Sequence, residues 1–70
     1  MLGALIKQYI EDKGLKQIRI AEKAGIRPSR FNELLNSKRQ LEATEYFKIC
    51  DVLGVPIELF AKQLYKKKAV

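Results

Sequence analysis

The chain has no histidine, no tryptophan and a single cysteine, Cys50. One thiol cannot close a disulfide within the chain, and without histidine there is no ligand set for a zinc site. A GxxxxGK[ST] phosphate loop is missing, as is any motif that would hold a pair of acids together for catalysis. These absences argue against an enzyme and against a bound metal or cofactor. No apolar run approaches the roughly 18 residues of a membrane span. The first residues lack the basic start and long apolar block of a signal peptide. The lone thiol fits a reducing compartment, so a cytoplasmic location is expected. No alternating Val/Ile/Thr run bounded by turns marks a strand.

What remains is enough for one small domain. Seventy residues, 47% of them hydrophobic, can form a single modest core near the lower size limit for independent folding. The formal net charge is +6, and its distribution is uneven. Eight basic residues (Lys13, Lys16, Arg19, Lys23, Arg27, Arg30, Lys38, Arg39) stand against two acids (Glu22, Glu33) between positions 13 and 39. The segment from 40 to 61 is net acidic, and the last residues are basic again through Lys62 and Lys66-Lys67-Lys68. A concentrated positive field of this kind is the footprint of a polyanion binder. The plain alternative is a solvated surface that keeps the chain soluble.

Periodicity predicts an all-α fold, a compact bundle of about five short helices. Leu2, Leu5, Ile6, Tyr9 and Ile10 recur at helical spacing, giving a first helix over about 2–13 that Gly14 ends. A second helix is expected over about 17–24, with Gly25 and Ile26 in the turn after it. Pro28 suits the first turn of a third helix over 28–35, and Asn36-Ser37 reads as its stop. A fourth helix over about 43–53 would turn Ala43, Phe47, Cys50 and Leu53 inward, with Gly54 at its end. Pro56 would open the last helix, with Ile57, Phe60, Ala61 and Leu64 inward. Ile20, Ala24, Ile26, Phe31 and Leu34 also fall at inward positions, which makes Phe31 and Cys50 core residues rather than a base-stacking ring or a nucleophile. The domain is placed at 1–65, followed by a short basic flexible tail at 66–70.

The stretch KQIRIAEKAGIRPSRFNELLNSKR (residues 16–39) has the layout of a helix-turn-helix. Ala21 fits where the two helices cross, and Gly25 fits a left-handed turn. With Gln17, Ala21, Gly25 and Ile26 at these spacings, and Lys48-Ile49-Cys50-Asp51-Val52-Leu53-Gly54-Val55 later, the chain resembles the lambda-repressor/Cro-like (XRE-like) helix-turn-helix family from about position 2 to 60. It departs from the family outline at Leu35 and Ser37, where Glu and Gly are common, and at Arg27, where Ser or Thr often caps the third helix.

The resemblance implies a small DNA-binding regulator of phage, plasmid or bacterial type, acting as a repressor by occupying a promoter. It implies that the third helix enters the major groove of double-stranded DNA and that Arg27, Pro28, Ser29, Arg30, Asn32 and Glu33 face the bases. Arg can pair with guanine O6 and N7, Ser can donate or accept, and Glu can accept from cytosine N4. Lys16, Gln17, Asn36, Lys38, Arg39 and Gln40 would contact phosphates on either side. Arg19 and Lys23 serve equally well as solubilising charge. One small domain makes few base contacts, so a homodimer on two half-sites is expected. Leu59 and Tyr65 are its candidate interface, exposed if Ile57, Phe60 and Leu64 point inward. The rival reading is an interaction protein of antitoxin or antirepressor type. It would use the same fold to grip a toxin or repressor, with Leu35 adding to an apolar patch. The basic C-terminal segment is too short to anchor to a membrane.

Overall fold

A computed structural model describes the backbone of residues 2–68 and the side chains of residues 2–63. It contains five helices: α1 (Leu2–Asp12), α2 (Gln17–Ala24), α3 (Pro28–Leu35), α4 (Ala43–Leu53) and α5 (Glu58–Lys68). The described residues include no strand. Glycine and proline set the boundaries largely where the sequence places them. α1 stops at Asp12, one residue before the expected end. α5 carries on to Lys68, past the Tyr65 boundary drawn for the domain.

The turn after α2 shows how this chain stops a helix. Gly25 takes φ 71° and ψ 27°. Its N–H donates to the Glu22 carbonyl at 3.1 Å, while the Ile26 N–H reaches back to Ala21 at 2.9 Å. This paired closure satisfies carbonyls that the ending helix would leave orphaned. The same pair of bonds recurs after α1 at Gly14 and Leu15, and after α4 at Gly54 and Val55. After α3 it is made by Ser37 and Lys38, with Ser37 at φ 60°. A residue with a Cβ therefore occupies the left-handed position that glycine fills elsewhere.

α2 packs on α3 and α4, and α1 packs on α3 and α5. The core comprises Ile6, Ile10, Ile20, Ala21, Ala24, Ile26, Phe31, Leu35, Ile49, Cys50 and Phe60, with Leu34 also buried. Ala21 is fully buried, as its place at the helix crossing requires. Gly3 is the small residue that the sequence pattern did not single out. A Cβ there would be driven into the Leu34 carbonyl oxygen, so the start of α1 rests directly on the backbone at the end of α3.

Three expectations about facing are corrected. α4 turns Tyr46, Ile49, Cys50 and Leu53 toward the core, leaving Ala43 exposed and Phe47 50% exposed. α4 carries apolar residues around most of its circumference, so spacing alone leaves its phase ambiguous. At the start of α5, Leu59 packs against the core while Ile57 is 45% exposed, the reverse of the expected arrangement. Helical structure begins at Glu58, so Ile57 precedes the helix whose inward face it was meant to share. Leu35 is buried at 2% exposure and adds nothing to a surface patch. The expectations for Leu64 and Tyr65 lie outside the described side chains.

Candidate nucleic-acid interface

α3 is built to show one polar face. Pro28 occupies its first turn, where the missing N–H costs no helical bond. Arg27 precedes it in extended backbone (φ −58°, ψ 137°) and makes no side-chain capping bond. Phe31, Leu34 and Leu35 anchor the opposite face in the core. At about 100° per residue, Ser29 and Glu33 lie at the centre of the outward face, with Asn32 and Arg30 on its two flanks. Arg27, Pro28, Ser29 and Asn32 are exposed, whereas Arg30 and Glu33 are half-buried.

The half-burial of these two charged residues has a cause in each case. Arg30 donates through Nε and Nη2 to the two carboxylate oxygens of Glu45, at 2.5 and 3.1 Å. The Glu42 N–H donates to the same carboxylate at 3.1 Å, so Glu45 also caps the start of its own helix. The Arg30 bond holds the Glu45 carboxyl below its ordinary pKa against the opposing effect of burial, and the Glu42 N–H adds to the lowering. Glu33 accepts from Arg39 Nε at 3.1 Å in a more exposed pair, joining the centre of α3 to the loop that follows it.

On the other flank, Lys7 Nζ donates to Asn36 Oδ1 at 2.9 Å. Asn36 Nδ2 donates in turn to the Asn32 backbone carbonyl at 2.8 Å and to Asn32 Oδ1 at 3.2 Å. An ammonium has no acceptor, so Lys7 dictates which end of the Asn36 amide faces Asn32. Asn32 thereby has its Oδ1 engaged, and its amide hydrogens meet no acceptor among the described residues. Lys7 and Glu45 are the participants that sequence reasoning missed. They lie 29 and 15 residues from Asn36 and Arg30 respectively, beyond the reach of any local motif.

A groove of about 550 Å³ brings together Arg27, Ser29, Arg30, Glu33 and Arg39 with Gly25, Ile26, Glu42, Thr44, Glu45 and Lys48. Lys38, Arg39 and Gln40 border a second concavity with Leu2, Gly3, Leu34, Ser37 and Leu41. Asn36 lines a third beside Lys7. Lys16 and Gln17 stand apart at the start of α2, where Lys16 is exposed, Gln17 is half-buried and no side chain caps the helix. Free N–H groups there suit a phosphate oxygen. The arrangement offers hydrogen-bonding groups on a helix anchored in the core, in a groove where Arg27, Arg30, Arg39 and Lys48 stand with Glu33, Glu42 and Glu45. No described helix is long and apolar enough to cross a membrane.

A protein-family model described as helix-turn-helix matches residues 6–60, most of the chain. No curated protein matches the chain.

Proposed function

The chain belongs to the lambda-repressor/Cro-like helix-turn-helix family, a family of DNA-binding regulators, and we propose that it is a sequence-specific transcriptional regulator that lays α3 in the major groove of double-stranded DNA. The observation that carries this reading is the outward face of α3, held by a buried apolar face and a tight Gly25 turn. Ser29 and Glu33 at its centre, with Arg27, Pro28 and Asn32 beside them, are the groups that read base edges. Lys16, Gln17, Asn36, Lys38, Arg39 and Gln40 set the register through phosphates, and Lys7 joins them beside Asn36. Phosphate contacts fix orientation, and base contacts fix sequence. The effect on transcription is repression by occupancy of a promoter, in the manner of a small Cro-like regulator.

The functional unit on DNA is a homodimer. Half-sites repeat about 34 Å apart along one face of the duplex. Phe47 and Ile57 supply an apolar contact for the second copy in place of the Leu59 face. They flank Tyr46, whose ring lies 6.3 Å from that of Phe47 and whose hydroxyl donates to the Ile57 carbonyl.

The deciding experiment is fluorescence anisotropy of a labelled duplex titrated with protein across a range of salt concentrations. A fall of log K with log salt, at a slope of about −0.9 per phosphate neutralised, is the expected result. Absence of binding at low salt would overturn the reading in favour of a protein partner, a toxin or a repressor.

A further inference from the structure

We propose that Arg30 is a positioning residue: clamped by Glu45, it fixes the angle of α3 against α4 and reads no base itself. The inference rests on the DNA-binding reading above and changes the role of one residue within it. Arg30 lies roughly 90° around the helix from the line through Ser29 and Glu33, on the flank turned toward α4. Its guanidinium spends its Nε/Nη2 edge on both oxygens of one carboxylate, the strongest geometry open to this pair. The carboxylate is only 13% exposed, and the Arg30 side chain 35%. Glu45 is not free to follow Arg30 outward, because it also accepts the Glu42 N–H at the start of α4. Drawing Arg30 into the groove would strand a largely buried carboxylate if Glu45 stayed, or uncap α4 if it followed.

The clamp therefore contributes to recognition at one remove. It sets the depth and tilt at which Ser29 and Glu33 meet the base edges, and a small tilt of a recognition helix moves its side chains off their partners.

The test is a double-mutant cycle on DNA, using the operator selected by the wild-type protein and a scrambled duplex of equal length. Arg30→Met, Glu45→Gln and the double variant are each titrated by anisotropy, and each is checked for folding by circular dichroism. Both single variants should lose about tenfold in operator affinity, and the double variant should lose no more than the worse single. The salt slope should stay at the wild-type value, and operator selection repeated with Arg30→Met should return the same preferred bases at every position. Arg30→Lys, which keeps the charge and one bond, should recover part of the loss and stands in if Arg30→Met fails to fold. Three results would overturn the clamp: lost preference at one base pair in the Arg30 variant with full affinity in Glu45→Gln; additive losses in the double variant; or a salt slope shallower by about 0.9, the mark of a lost phosphate contact. Wild-type protein that binds no duplex would overturn the DNA-binding reading itself, and this role with it.

Discussion

Ser37 is the one non-glycine residue at positive φ among the described residues, at φ 60°, in a helix ending of the kind glycine makes three times elsewhere. A Cβ in that region costs roughly 1–2 kcal/mol. Ser37→Gly should therefore raise stability by about 1 kcal/mol after the entropy of a more flexible unfolded chain is subtracted. For a domain of this size the melting temperature should rise by roughly 4–8 °C, and a calorimetric scan that moves downward would contradict the account. Tyr46 makes a separate prediction. Burial first, and then its neighbour Cys50, push its phenol up from the ordinary value of 10.0 to about 12. A group whose folded pKa is raised contributes its stabilisation in full below the unfolded value and loses it as pH climbs through the folded one. Stability should thus fall between pH 10 and about 12, and Tyr46→Phe should flatten that fall. Denaturant midpoints at pH 8 and pH 11.5 for the two proteins check it.

At the scale of elements, the crossing of α1 over α3 depends on Gly3, whose missing side chain leaves room for the Leu34 carbonyl. Gly3→Ala should cost about 1–3 kcal/mol, since backbone on both sides must give way. A urea midpoint unchanged from wild type would show that the crossing can open. Helix boundaries were legible because glycine and proline act locally. Gly25 and Gly54 end α2 and α4, and Pro28 opens α3, through the backbone geometry of a single residue. The phase of α4 was not legible. Ala43, Tyr46, Phe47, Ile49, Cys50, Val52 and Leu53 satisfy more than one inward face, and only packing against α2 selects among them. The polar side of the candidate site was half legible. Spacing gave the outward position of Ser29, Asn32 and Glu33. The ties of Arg30 to Glu45 and of Asn36 to Lys7 join residues that only the folded topology makes neighbours.

Over the whole molecule, exposed apolar side chains fall in two groups, Leu15 and Ile18 among the cations and Phe47 and Ile57 away from them. The cations cluster between positions 13 and 39, while Phe47 and Ile57 lie in the net acidic segment that follows. Two strongly basic copies meet most readily through the segment that carries the fewest cations. Phe47→Lys should abolish self-association in sedimentation at micromolar protein with operator present, and should leave the fold intact because the ring is half exposed. An equal dimer fraction in both proteins would remove this surface from consideration.

The single carboxylate of Glu45 has a practical consequence. Because it both accepts the Glu42 N–H at the start of α4 and bonds Arg30 on α3, the first turn of α4 is tied directly to α3. Thr44 is exposed beside it and lines the same groove. An environment-sensitive dye attached there would act as a built-in gauge of α3, reporting through the protein's own linkage when that helix engages a target.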